Sequence, residues 1–370
     1  MRHALTRGFL LLSVAALSLA TGSVARAQPP VARRGATLLA PSAPVSGGPR
    51  VTGTRHGLAD VTDAESLYND AISFYEINRY PQAVSYFTQA LAAADNFPDR
   101  YNTYLYRGLS RYALHQYRLA QADFAQCIAI RPRAADAYVD RGNADKDAGL
   151  YTSAIADYTS YLRLVPTNDY KWAAYENRGN CYFELGGASN LRLAIADFSA
   201  SIGLKSENGR VHEDRGAAYE SLGSYDAALA DDTTAIQQGY VDAYYARGNV
   251  HYERGTVHNA RREFEAAVVD YSAYLRLSPG GRRARIVYNN RGQAFDSLGM
   301  PTRAIQDFDQ ALRLDPTYAD AYYNRSRPEY DRGNRHGAVA DLRRALALYI
   351  AQHNAVGAQR ARAALRSYGA

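Results

Sequence analysis

Cysteine, methionine and tryptophan are scarce in this 370-residue chain, at 2, 2 and 1. Lysine is limited to Lys146, Lys171 and Lys205. Two cysteines in such a length exclude a disulfide framework. Cys127 and Cys181 fall in different helical segments, at positions suited to small apolar residues. They fit two buried thiols, with one Cys127–Cys181 bridge as the alternative. Long apolar runs are missing too. The first, Gly8 to Ala20, is about 13 residues, short of the ~20 that cross a bilayer as a helix. Arg2, His3 and Arg7 precede it and Ala25-Arg26-Ala27 follows it. Together they read as a secretory signal over 1–27. Gln28 then becomes the mature N-terminus, and the expected location is the periplasm or the exterior. An uncleaved anchor is the alternative, and no later segment is apolar enough to span a membrane.

Excess charge of one sign is absent from the folded part. The net +6 belongs to residues 1–27, with +3, and 28–58, with +4. Residues 59–370 hold 36 basic and 37 acidic side chains, so the usual case for a nucleic-acid binder fails. The balance is uneven along the chain, however: residues 59–253 sum to −9 and 254–370 to +8. Weak head-to-tail self-association at low ionic strength is an expectation of that split.

Catalytic signatures are also missing. The chain has no Gly-rich phosphate loop with Lys, no G-x-S-x-G and no H-E-x-x-H, each of which needs its residues at fixed spacing. The eight histidines are scattered. The expectation is no enzyme, no metal and no cofactor.

What is present is repetition. After a Pro/Gly/Ala-rich stretch over 28–58, read as a flexible tether, Arg-Gly recurs at 107–108, 141–142, 178–179, 215–216, 247–248 and 291–292, with Arg325-Ser326 continuing the series. With Ala71 as the first equivalent, the intervals are 37, 34, 37, 37, 32, 44 and 34. Ala recurs twelve residues on in uninterrupted copies, followed by Asp, usually beside an aromatic: Asp123-Phe124, Asp157-Tyr158, Asp197-Phe198, Asp270-Tyr271 and Asp307-Phe308. Pro132, Pro166, Pro279 and Pro316 close several copies. Small residues where two helices approach, with aromatics one turn away, describe tight helical hairpins.

On these residues the chain resembles the tetratricopeptide repeat family, in its Arg-Gly…Asp variety and in an exported bacterial form. The resemblance implies an all-α, right-handed α-solenoid of about eight helical hairpins plus a capping helix. The solenoid would occupy 59–370, with copies at about 64–97, 101–134, 135–168, 172–208, 209–240, 241–281, 285–318 and 319–352 and a cap over 353–368. Asp232 and Leu342 replace the aromatic, the fifth copy lacks a closing proline, and Pro328 is expected to kink or break its helix. Insertions at Gly187–Asn190 and Thr256–Ala266 lengthen the fourth and sixth copies. The second should extend both helices by about a turn; tolerated length variation or a partner contact would each account for them.

Seven copies carry both the Arg and the Asp, and the first, with Asp70 and Tyr86, carries neither. Joint presence and absence predict that Arg107, Arg141, Arg178, Arg215, Arg247, Arg291 and Arg325 pair structurally with Asp123, Asp157, Asp197, Asp231, Asp270, Asp307 and Asp341. The family resemblance places binding on the concave stripe of the first helices, at −6, −3, −2, +1, +4 and +5 from the marker Gly. There lie Asn143, Asn177, Asn180, Tyr245, Asn249, Tyr252, Asn290, Gln293, Tyr323 and Asn324, joined by Tyr112 and Tyr330. Amides can bond an extended peptide backbone, and Tyr adds rigid contact area. Relatives that clamp free C-terminal carboxylates carry Lys there, whereas position −3 here is Leu105, Val139, Glu176, Glu213, Tyr245, Asn289 or Tyr323. The expected partner is therefore an unidentified protein or peptide held by an exported scaffold, supporting an envelope or periplasmic complex. The rival expectation is an anionic envelope polymer, glycan or lipid head group, on the Arg-rich C-terminal repeats.

Overall fold

The computed structural model describes residues 55–93, 99–165 and 170–370. The signal expected over 1–27, nearly all of the 28–58 stretch and Pro166 lie outside the described residues. Among these residues there are seventeen α-helices and no strand. In the first compact unit, up to Ser206, they are α1 (Arg55–Glu76), α2 (Tyr80–Ala93), α3 (Arg100–Ala113), α4 (Tyr117–Ile130), α5 (Ala135–Asp147), α6 (Tyr151–Leu164), α7 (Lys171–Leu185) and α8 (Gly187–Leu204). In the second, from Glu207, they are α9 (Gly209–Ser221), α10 (Tyr225–Gln237), α11 (Asp242–His258), α12 (Arg261–Leu277), α13 (Ala284–Ser297), α14 (Pro301–Leu314), α15 (Ala319–Asp331), α16 (Arg335–Ala351) and α17 (Ala355–Ser367).

Consecutive helices pair as antiparallel hairpins, four in each unit, and within a unit each hairpin packs on the next. The first helices also touch one another, α1–α3–α5–α7 in one unit and α9–α11–α13–α15 in the other, and so form a continuous face. The marker Gly makes the hairpin possible. A Cβ on Gly108, Gly179, Gly248 or Gly292 would meet the ring of Phe124, Phe198, Tyr271 or Phe308 at 2.7–2.8 Å. Only a hydrogen leaves room for an aromatic at that distance.

The second insertion takes the form of added helix. α11 and α12 have 17 residues each, against 13–14 in most other helices. The helix α15 runs through Pro328 and ends at Asp331. Pro328 does not break it, because the ring lies in the last turn and removes a single backbone bond. Helix α17 closes the second unit: Ala358 and Ala361 pack on Tyr349, and Tyr368 stacks on Tyr330 at 4.1 Å. Both cysteines are buried as free thiols, and burial pushes each up to about 12. Neither is a reactive thiolate near neutral pH.

Candidate binding face

The Arg and Asp side chains meet in all seven copies. Each guanidinium grips its carboxylate with Nε and Nη2 at 2.7–3.2 Å. The seven carboxylates are 1–7% exposed. Such a fork is the strong form of a charged hydrogen bond. The remaining nitrogen reaches the second helix of the preceding hairpin. Nη1 of Arg107, Arg178, Arg247, Arg291 and Arg325 donates to Thr88, Thr159, Thr233, Ser272 and Asp309. One Arg thus joins the two helices of its own hairpin and staples that hairpin to the one before.

Part of the tyrosine surplus belongs to the same device. Tyr104, Tyr138, Tyr175, Tyr244, Tyr288 and Tyr322 stand one turn ahead of the Arg, with its guanidinium carbon 5.5–6.0 Å from the ring centroid. His212 takes that place in the fifth copy and bonds Asp231 at 3.2 Å.

The amides expected in an open groove are mostly spent on packing, a correction to the sequence expectation. Asn143 and Asn177 are 5% and 4% exposed. Asn143 accepts from the Tyr158 hydroxyl and from Asn177. Asn249 accepts from the Tyr271 hydroxyl and from Asn290, and Asn289 accepts from Asn324. One repeat apart along the chain, these amides form a ladder between neighbouring first helices. Tyr245 and Tyr252 are buried against Tyr274 and Phe264. Tyr112 bonds Asp147, Tyr330 stacks on the cap, and Tyr323 carries Arg360 4.5 Å above its ring. Asn180 and Gln293 stay half-exposed, without a side-chain hydrogen bond among the described residues.

The same stripe holds a signal that the search for amides passes over. It carries fifteen acids, seven in the first unit (Glu65, Glu76, Asp136, Asp140, Asp147, Glu176 and Glu184) and eight in the second (Glu213, Asp214, Glu220, Asp242, Glu253, Asp296, Asp320 and Asp331). Against them stand three bases, Lys146, Arg210 and Arg327. The folded part as a whole is balanced, so the acids are concentrated here and many arginines of 254–370 lie exposed on other faces. The crowding shows in the protonation equilibria. Burial, with Asp136 beside it, raises Asp140 to about 8. Burial, then Glu253 and Glu213, raises Glu220 to about 8. Like charges drawn together in a partly dry site resist ionising together.

Residues 105–169 match one tetratricopeptide repeat model and residues 286–318 match another. Those two segments are tetratricopeptide repeats. Human tetratricopeptide repeat protein 6 is 25% identical over 224 residues, a match that covers 59% of this chain and 40% of that protein. The chain thus spans less than half the length of that relative. The C-terminal part of a TPR repeat-containing protein from Cytophaga hutchinsonii superposes with a TM-score of 0.56 at 18% identity, over 70% of this chain and 98% of that one. A tetratricopeptide repeat protein from Parabacteroides merdae gives 0.55 at 17%, over 71% and 99%. At such identity the likeness is one of fold. Repeats of this kind serve in general as protein-interaction scaffolds.

Proposed function

We propose that this chain is a non-enzymatic, exported scaffold that holds a protein partner along the face formed by its first helices, in support of an envelope or periplasmic assembly. The observation that carries the reading is the division of labour within the repeat. The Arg–Asp forks and the amide ladder are used up in holding layers together, while Asn180 and Gln293 on the stripe beside them stay half-exposed. A micromolar partner needs about 8 kcal/mol of net binding free energy. One neutral hydrogen bond nets only about 0.5–1.5 kcal/mol, so several layers must act together.

The test blocks the face by bulk, independently of charge. A tagged chain with Asn180→Trp and Gln293→Trp should lose the protein that the wild type captures from the exported fraction, while its thermal melt stays unchanged. Equal capture by the double variant would move binding off this face.

A further inference from the structure

The fifth hairpin, α9/α10, puts a charged residue type where the other copies keep an aromatic or, in the last, Leu342. Where Phe124, Tyr158, Phe198, Tyr271 and Phe308 lie against the marker Gly, it has Asp232, whose Oδ1 lies 2.9 Å from where a Cβ on Gly216 would stand. Asp232 is 1% exposed, and neither of its carboxylate oxygens has a hydrogen-bond partner among the described residues. The next residue of the stripe is Ala217, where Asn143 and Asn249 accept from a tyrosine in other copies. This layer therefore lacks both the ring and the amide, and keeps a bare carboxylate aimed between first helices.

Other acids face it. Glu213 and Glu220 lie on α9, and Asp231 precedes it on α10. Burial raises Asp232 well above its usual range; Glu213, Glu220 and Asp231 add to the effect, and Arg247 offsets part of it. Glu253 on α11 faces Glu220 and has an unpaired, buried Oε1. Leaving buried carboxylate oxygens unpaired costs about 1–3 kcal/mol or more for each group. No group of three His, Cys, Asp or Glu side chains among the described residues is arranged to hold a metal ion. A guanidinium or an ammonium supplies what the unpaired oxygens of Asp232 and Glu253 lack, because it brings several N–H donors on one charge.

We infer that the partner is a cationic segment, and that Asp232, Glu213, Glu220 and Glu253 form the pocket that anchors one of its Arg or Lys side chains. This rests on the reading of the first-helix face as the binding face and names the partner's chemistry. The cation enters where other layers keep a ring. The remaining acids of the stripe attract the flanking basic residues, a contribution that salt screens more than the buried anchor.

The probe is a fluorescein-labelled hexa-arginine peptide, titrated into the full chain by anisotropy at ~150 mM salt, with labelled hexaglutamate as the control. Asp232→Asn combined with Glu220→Gln keeps shape and removes the two groups that can ionise against a bound cation; it should weaken hexa-arginine binding at least tenfold. Asp232→Phe rebuilds the ordinary layer and should do the same with its helical circular dichroism intact. Hexaglutamate should not bind. Unchanged hexa-arginine affinity in the Asn/Gln variant, or equal binding of the two peptides by the wild type, overturns the inference. A chain that still captures its exported partner through the Asn180 and Gln293 face after Asp232→Asn and Glu220→Gln would sink the cationic anchor and leave the scaffold reading standing.

Discussion

Hairpins α11/α12 and α9/α10 sit next to each other in one unit and share the Arg–Asp fork, yet they fill the layer between their helices differently. In α11/α12 the Tyr271 ring covers Gly248 and its hydroxyl fixes Asn249, which in turn takes Asn290 from the next hairpin. Every polar atom in that chain of contacts has a role in packing. In α9/α10 the ring becomes Asp232, the amide becomes Ala217, and the tyrosine ahead of the Arg becomes His212. Three positions change together within one copy, and the result is a buried carboxyl group in place of a packed ring. A layer that gives up its packing in this way is where a repeat array shows its function, since local rules are broken at sites that do something else.

The largest effect expected is on the element both layers share. The side chains of Arg178 and Asp197 are 17% and 8% exposed, against 5% for the whole Asp197 residue, and meet at 2.8 Å. Arg178→Ala leaves a buried carboxylate uncompensated and removes the bond to Thr159, costing roughly 3–5 kcal/mol. A melt that overlays the wild type would refute this. The second prediction divides the two layers at their glycines. Gly248→Ala drives a methyl into the Tyr271 ring and should cost about 1–3 kcal/mol. Gly216→Ala meets only a carboxylate oxygen that can swing aside, and gains up to ~1 kcal/mol of helix propensity. Denaturant midpoints that shift alike for both variants would erase the contrast.

The third prediction concerns pH. Glu220 is raised from 4.5 to about 8 in the folded state, by burial and then by Glu253 and Glu213. Tyr225, Tyr245 and Tyr271 face the same cluster from the packed helices, as does Asp232 with Arg247 near it. Between pH 4.5 and about 8 the folded state therefore holds more protons than the unfolded one, so stability falls as pH rises across that window. The Tm should drop by roughly 5 °C from pH 5.5 to 8.5, and Glu220→Gln should flatten the slope. A Tm that climbs over this range would contradict the assignment. The smallest effect is Tyr271→Phe, which keeps the ring and drops one hydrogen bond, for about 1 kcal/mol. Chemical denaturation that finds no loss would mean Asn249 recovers a partner elsewhere.

Much of this was legible beforehand, and its limits have physical causes. The period of Arg-Gly and Asp-aromatic defines hairpins, because a tight helix pair needs a small residue where the second helix approaches, and in most copies that residue faces a ring. The co-occurrence of Arg and Asp points to their pairing. The third partner, Thr88, Thr159, Thr233, Ser272 or Asp309, always follows the Asp position by two residues and could have been found by the same alignment. The amides were legible as a face but not as a ladder. A helical wheel places Asn143 and Asn177 on one stripe, whereas only the stacking of repeats sets them 3.3 Å apart and buries both. The acids of that stripe were in plain view, hidden by a charge balance that holds for the whole folded part and fails for this face.

The most direct test of the central claim is a thermal melt of the wild type and of Asp232→Phe, each with and without hexa-arginine. In the wild type, peptide at a hundred times its Kd should stabilise the fold by about 2.7 kcal/mol. Asp232→Phe should melt higher than the wild type without peptide, since a packed ring replaces a buried carboxyl group that has no hydrogen-bond partner among the described residues, and should gain nothing when peptide is added. The account is contradicted if Asp232→Phe melts below the wild type, or if the peptide raises both melts equally.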